Sequence, residues 1–538
     1  MQFLEEYEEG LQLDPYDVAL LGADNYQLKK PETHGYDHWF TVLYTIFPLS
    51  KLKVWGTLSA SRERKDWAQY IKNNTQEKVL DTVFRPREED HAVLATVVLV
   101  QFSISLSWYK YLPTYKQCLD WEKPGETNDI TEEKRYRFDN GLPLLFRWSK
   151  VSELPMNTDA LKAIWDGSAK RFKKETPSIE TQQTIFERNN LHPGIPYHQN
   201  FGQKQSTAAL CDHINRYSDA QVEEWEARVE EWRKDNVSMG ELEPPELPFP
   251  LCYPPIAKDF RFFVGDGDPT NQIGRMKSDQ PDRYEHIIAR AGPFHLYMDD
   301  FKSNNRMFEK ILNWLLGGMY SGNLNVLGIR FLSFKDPTTP EKTLSGLLLA
   351  IQACLIRSMI ESKRPSFGAV DMHKYALELA EERPLAALLY ICLLYYTVTL
   401  LHRKGPKDDD FDTHLSMVRF SISKYCCNHS TLYLRIAMDE LQYCFTWSEC
   451  EEKLYKSGIF TGKTVNREPA PRNYIHERTI RALSEQVGTT HRPGRDHFVE
   501  WSALNVIDIA KNKNIWKECV LVGMTKKTGR KCSRMTMQ

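Results

Sequence analysis

The sequence of 538 residues lacks several patterns that define protein classes. Its eleven cysteines include no CxxC pair, so neither a zinc ribbon nor a thioredoxin motif is predicted. The formal net charge is −2, which excludes a global basic field and leaves only local basic surfaces for nucleic acid. The N-terminal segment MQFLEEYEEG is acidic and lacks the pattern of a signal peptide. The first apolar run follows closely, as expected of a fragment or of a domain that has lost upstream modules.

Hydrophobic runs long enough for a comfortable membrane span are also missing. Residues 92–108 and 384–401 are uncharged and apolar, but each is shorter than the roughly 20 residues that a bilayer requires. We therefore expect both to form buried helices, with no membrane partner. The adjacent thiols of Cys426 and Cys427 suit a reduced compartment, so we expect an intracellular protein, nuclear or cytoplasmic.

The chain does contain enough apolar material for a sizeable core, at 41% hydrophobic and 12% aromatic residues. Its length predicts two or three units. Changes in composition divide it into segments: the first part of a sheet core (1–118), a charged, proline-rich insertion (119–255), the second part of the sheet core (256–300), a helical region (301–460), C-terminal helices with an HRPG motif (461–515) and a basic tail (516–538).

The N-terminal part of the core is predicted to be a meander of three strands. The run Asp17 to Asn25 is apolar and ends at Asp24, and Phe40 to Phe47 is strongly β-prone. Lys51 to Leu58 is the predicted third strand. Short loops between successive strands favour antiparallel pairing.

The second part of the core has the pattern strand, turn, helix, strand. Phe260 to Val264 is predicted to be a buried strand, followed by the turn Gly265-Asp266-Gly267-Asp268-Pro269. A helix is predicted from Pro281 to Gly292, and a second strand from Phe294 to Met298. Carboxylates at strand ends would meet at the edge where open α/β sheets place ligands. Asp266 fits an ordinary turn equally well, because Asp and Gly are common turn formers.

One acidic helix is predicted within the insertion, over residues 222–236. Apolar side chains recur there at helical spacing, namely Val222, Trp225, Val229 and Trp232. The other positions are mainly charged, which is typical of a solvated face and also suits a protein partner. A run rich in proline, residues 244–255, follows as a semi-rigid connector.

Several short motifs together resemble one eukaryotic family. They are Asp24-Asn25, Gly265-Asp266, Gly292-Pro293-Phe294-His295, Arg492-Pro493-Gly494, Val499-Glu500-Trp501 and Leu504-Asn505. This combination, over residues ~15–515, resembles the transposon-associated family labelled domain-of-unknown-function family 6589. That family often has Gln after the Gly-Asp pair, where this chain has Gly267.

The family's layout is similar to that of transposases with a ribonuclease-H-like core. The resemblance implies an α/β (α+β) fold: a mixed sheet core with a long insertion and a large, mainly helical C-terminal part. It implies that Asp24, Asp266 and Glu500 bind two Mg²⁺ or Mn²⁺ ions as the catalytic site, supported by Asp268 and by His295 on a strand. Such a site performs phosphodiester chemistry on DNA. The alternative is a catalytically inactive scaffold that uses the acidic helix 222–236 to bind a protein partner.

Overall fold

The computed structural model describes a mixed α/β protein that is mostly helical and contains a small mixed sheet. The described residues are 13–29, 36–48, 55–108, 188–189, 191–193, 197–198, 203–236, 246–312, 369–464 and 467–477, with isolated positions between 344 and 362.

The sheet has six strands, in the order β3-β2-β1-β5-β6, with β4 also paired to β2. Strands β1 to β3 are antiparallel, whereas β5 and β6 run parallel to β1. Short apolar runs such as Arg261–Gly265 form the central strands because both of their faces are buried. The strands are β1 (Val18–Lys29), β2 (Tyr36–Phe47), β3 (Leu191–Pro193), β4 (Tyr197–His198), β5 (Arg261–Gly265) and β6 (Ile287–Ala291).

Helices cover both faces of this sheet. The helices of the first half are α1 (Trp67–Asn73), α2 (Gln76–Val79), α3 (Glu88–Trp108), α4 (Gln203–Asn236), α5 (Gly267–Asp279), α6 (Pro281–Tyr284) and α7 (Pro293–Met307). The helices α4 and α5 contribute Leu210, Ile214 and Ile273 to a core with Leu21 and Phe263 on one face. On the opposite face, aromatic side chains from residues 411–460 pack against the alternate strand positions, such as Leu20 and Phe262.

The C-terminal half is mainly helical, and its helices pack on α3 and α7 in a second apolar core. The helices are α8 (Ala369–Glu382), α9 (Pro384–Asp408), α10 (Phe411–Cys427), α11 (Thr431–Thr446) and α12 (Glu449–Leu454). A short two-stranded sheet, β7 (Thr461–Lys463) with β8 (Pro469–Pro471), leads into a helical turn at residues 472–477.

The third strand differs from the prediction. The described end of Lys51 to Leu58 is a 3-10 turn at Trp55–Thr57, and β3 takes the place beside β2. Strand β3 has only three residues, too few to show an apolar period. Part of the predicted insertion therefore belongs to the core: β3 and β4 are strands of the sheet, and α4 packs on one face of it. Strand β1 also continues past Asp24 to Lys29, because its pairing with β2 extends to that end.

The predicted pattern of turn, helix and strand after Asp266 is also partly wrong. The helix begins at once, at Gly267, and Ile287–Ala291 forms a strand where a helix is predicted. Residues 294–298 lie in α7 instead of a strand, since Pro293 occupies the first turn of that helix. An apolar run of five residues fits either structure, so its composition alone cannot decide.

Both long apolar runs form helices, as predicted. The buried side of α3 includes Val98 and Phe102, and α9 contributes Leu393 and Tyr396 to the same core. Helix α9 alone, within the described part of the chain, is long and apolar enough to cross a membrane, and half of its most apolar window is buried. No membrane is indicated.

The proline-rich connector is held on the protein surface by side-chain donors. Tyr16 donates its hydroxyl to Pro250 O at 2.9 Å, and Trp225 donates its indole N–H to Leu251 O at 3.2 Å. Arg62 donates to the carbonyls of Pro254 and Pro255. The apolar side of the acidic helix therefore packs against the chain itself, and its carboxylates face outward.

Candidate functional site

The backbone register places the first two predicted acids side by side. Ala23 of β1 pairs with Gly265 of β5, so Asp24 and Asp266 follow at neighbouring positions on parallel strands. Adjacent strands lie about 4.8 Å apart. The register therefore brings the backbones of these two positions together, and Asp24 lies within β1 and not at its end. Glu500 lies outside the described residues.

Asp266 joins the end of β5 to the start of α5. Its carboxylate accepts a hydrogen bond from Gly267 N at 2.6 Å and caps the helix. Its side chain is 32% exposed, so the carboxylate remains accessible to solvent. Asp268, in the first turn of α5, is exposed.

Two further side chains lie against Asp266. The Nδ1 atom of His295, on α7, is 3.6 Å from Asp266 Oδ1. The phenol of Tyr433, on α11, also lies near Asp266: burial, followed by the charge of Asp266, raises the pKa of this phenol. Because α7 and α11 belong to the helical part, the orientation of Asp266 depends on how that part packs against the sheet. His295 therefore reaches Asp266 from a helix and not from the predicted strand.

A buried carboxyl lies one helical turn beyond His295. Asp299 is 7% exposed, and burial raises its pKa to about 6. Among the described atoms, its Oδ2 has no hydrogen-bond partner. The sequence pattern predicts that Asp299 follows the end of a strand. In the structure Asp299 lies within α7 and its side chain is buried.

The helical turn 472–477 crosses the same edge of the sheet. Asn473 Oδ1 accepts from Phe294 N at 3.2 Å, and the Asn473 side chain lies against Gly292. The ring of His476 lies over Gly22 and makes a 3.2 Å hydrogen bond with Thr45. Gly22 and Gly292 flank β5 from either side, so the turn passes over the strand that ends at Asp266.

Glu477 is an acidic residue near this edge that the sequence did not predict. It is 8% exposed, directly after His476 and one turn after Asn473. The spacing of Asn473, His476 and Glu477 places three polar side chains along one side of a helix. This spacing is the signal in the sequence that could have indicated a polar helix face. The prolines and glycines that precede Asn473 instead favour the interpretation of this segment as a linker.

Three carboxylate residues belong to the elements that meet at this edge. Asp24, Asp266 and Glu477 are carboxylates, and Mg²⁺ and Mn²⁺ prefer oxygen ligands. Among the side chains that the structure describes, no group of three or more His, Cys, Asp or Glu is arranged to hold a metal. The carboxylates of Asp24 and Glu500 are not among those side chains.

Comparisons with known proteins leave the family unassigned. No family model matches the chain, and no curated protein or solved structure matches it either.

Proposed function

We propose that this chain is a transposase-like protein with a ribonuclease-H-like core that performs metal-dependent phosphodiester chemistry on DNA. The strand arrangement carries the proposal. The antiparallel strands β1 and β2 come first. After helices α1 to α3, the short strands β3 and β4 pair antiparallel with β2, and after α4 the strands β5 and β6 run parallel to β1. An antiparallel pair followed by strands parallel to the first supports the layout implied by the resemblance, although the third antiparallel strand comes later in the chain than that layout implies. The register of β1 with β5 places the backbone positions of Asp24 and Asp266 next to each other. Work on DNA would require an intracellular, nuclear or cytoplasmic, location.

The proposed site is built from Asp24, Asp266 and a third carboxylate. Mg²⁺ or Mn²⁺ held there would activate a water molecule and stabilise the leaving oxygen of the phosphodiester. The chain itself orients the ligand: Gly267 N–H fixes the Asp266 carboxylate, and Tyr433 and His295 lie beside it. Glu477 and the predicted Glu500 are the two candidates for the third carboxylate.

Metal-dependent thermal melting of the whole chain tests the site. Clustered carboxylates repel one another, and a cation that binds only the folded state raises the melting temperature by mass action. We expect Mg²⁺ or Mn²⁺ to stabilise the wild type and to have little effect on Asp266→Asn. Asn still caps a helix, so this variant removes charge while retaining the cap. Asp282→Asn, exposed on α6 at the opposite end of β6, is the matched control.

The same melts identify the third carboxylate. If Glu477 binds the cation, Glu477→Gln loses the metal-dependent shift and Glu500→Gln retains it. The opposite result assigns the role to Glu500. An equal shift in the wild type and in all of these variants would exclude a metal site at this edge.

Chemistry on DNA is measured by the nicking of supercoiled plasmid with and without Mn²⁺. Nicking that requires the cation and is lost in Asp266→Asn supports the enzyme. A metal shift without nicking favours the second candidate function, an inactive scaffold. The exposed carboxylates of Glu223, Glu224, Glu226 and Glu230 on α4 favour that candidate, because they present an acidic face to a basic partner.

A further inference from the structure

A basic cavity lies beside the candidate site, between α5, β6 and α11. Its volume is about 540 Å³, which is within the usual range of small-molecule sites. Two acidic side chains, Asp439 and Glu440, also line it. Its lining includes five cationic side chains, namely Arg64, Arg275, Lys277, Arg290 and Arg435.

Two of the five cations are neutralised by buried carboxylates. Arg290 forms an ion pair with Glu440, and Arg64 forms one with Glu451. Lys277 and Arg275 form no ion pair with any described residue, and Arg435 donates to the neutral amide oxygen of Asn271 at 2.8 Å. Three cations therefore face the cavity against the single carboxylate of Asp439, so the cavity retains positive charge.

Lys277 is the most deeply placed of these three. Its ammonium donates to Ile287 O at 2.9 Å, which uses one of its three N–H groups. Burial and then the charge of Arg64 lower the pKa of Lys277 to about 8. A buried ammonium is costly unless an anion accompanies it. The position of Lys277 therefore favours an anionic ligand.

Part of the remaining lining is apolar and aromatic, and the other part is polar and uncharged. Ile288, Ala289 and Ile436 line the cavity together with the ring of Tyr443. The guanidinium of Arg290 lies 4.2 Å from the centre of that ring. Flat apolar walls beside fixed cations suit a ligand that combines a planar ring with a phosphate.

The cavity also adjoins Asp266. Thr270 lines it, and the hydroxyl of Thr270 donates to Asp266 O one helical turn earlier in α5. We propose that this cavity binds the phosphate of a nucleotide or of a nucleic-acid strand through Lys277, Arg275 and Arg435. This binding does not require metal chemistry at Asp266, so it can succeed or fail separately from the proposed function.

Calorimetric titration of the whole chain in metal-free buffer tests the cavity. The probes are inorganic pyrophosphate, ATP and a short single-stranded oligonucleotide without terminal phosphates. We expect binding of at least one probe, weakened roughly tenfold or more in Lys277→Gln and in Arg435→Gln, because charge-assisted hydrogen bonds are lost. Gln at 277 can still donate to Ile287 O, so this variant retains that hydrogen bond. Lys374→Gln, at an exposed position of α8, is the matched control and should bind as the wild type does.

The probes separate the two sources of phosphate. Binding of ATP and pyrophosphate without the oligonucleotide assigns the cavity to a nucleotide. Binding of the oligonucleotide in competition with pyrophosphate assigns it to a nucleic-acid backbone. Absence of binding by every probe overturns the proposal, and so does an affinity that neither Lys277→Gln nor Arg435→Gln reduces.

Discussion

The imidazole of His476 occupies the space that a side chain at Gly22 would fill. A Cβ atom at position 22 would come within 2.0 Å of His476 Nδ1. The same ring hydrogen bonds to Thr45 on β2, so it joins the C-terminal helical turn to two strands of the sheet. Because Gly22 lies two residues before Asp24, this contact fixes the helical turn beside the candidate site.

Replacement of Gly22 by alanine should therefore destabilise the fold. The added methyl group must displace the ring or shift β1, and overpacking of this kind costs about 1–3 kcal/mol. Gly274→Ala is the control, because a Cβ atom at this position inside α5 would have open space around it, with no described neighbour within 4 Å. That variant should stabilise by roughly 0.5–1 kcal/mol. Urea denaturation measures both, and a Gly22→Ala protein as stable as the wild type would refute the close contact.

The buried ion pair between Lys424 and Asp300 leads to a second prediction. Both side chains are fully buried, and Ser421 and Thr399 also donate to Asp300. Lys424→Met leaves an uncompensated charge, so it should cost about 3–5 kcal/mol in urea denaturation. Lys453→Met, which removes an exposed ion pair with Glu449, should cost far less, because solvent screens that pair. Equal losses in the two variants would contradict the prediction.

The central strands can be predicted from the sequence because each is a short apolar run that is visible in the local sequence alone. The runs that contain Leu20, Phe40 and Phe262 are apolar or β-branched and end at turn residues, so β1, β2 and β5 are recognisable. Parallel pairing of β1 with β5 then explains why Asp24 and Asp266 can be expected together. The mixed sheet and the helical C-terminal half follow from the same reasoning.

The remaining features depend on contacts that are distant in sequence. Strand β3 is defined by its pairing with β2 and not by its own pattern. His295 lies on a helix because Pro293 begins one, although Phe294 to Met298 would suit a strand. The position of Glu477 depends on the packing of His476 against Gly22, more than 450 positions away in the chain, which no local periodicity can show.

Acidification should destabilise the protein through buried histidines. Burial lowers the pKa of His402 to about 4 and of His476 to about 3, and it lowers that of His414 well below 6.5. Below pH 6.5 the unfolded chain therefore binds more protons than the folded one, and stability falls by about 1.4 kcal/mol per pH unit for each histidine. Asp299 acts in the opposite direction, since its folded pKa of about 6 exceeds the ordinary 3.8. Burial also lowers the pKa of His373, which adds to the loss, and raises the pKa of Asp439, which opposes it. Four histidines outweigh two carboxyl groups, so the net effect of acidification is a loss of stability.

Urea denaturation between about pH 7 and about pH 5 measures this dependence. His414→Phe should reduce the slope by about one proton, because the Phe side chain does not titrate and fits among Phe411 and Phe460. An unchanged slope in His414→Phe would show that His414 binds the same number of protons in the folded and unfolded states, and would contradict the lowered pKa.

Phosphate binding in the basic cavity should weaken as the pH rises. The folded pKa of Lys277 is lowered to about 8, so its ammonium loses its proton as the pH passes through that value. The charges of Arg64 and Arg290 lower this pKa, and those of Glu451 and Glu285 raise it. Pyrophosphate affinity should therefore fall between about pH 7 and about pH 9 in the wild type.

Two variants at position 277 assign that pH dependence. Lys277→Arg retains a positive charge over the whole range, because a guanidinium titrates only above about pH 12. Its affinity for pyrophosphate should stay near the neutral-pH value of the wild type as the pH rises. Lys277→Gln should bind weakly at every pH. Calorimetric titrations with pyrophosphate at about pH 7 and about pH 9 measure these affinities. An equal fall in affinity in the wild type and in both variants would show that another group titrates, and that Lys277 has no role in binding the anion.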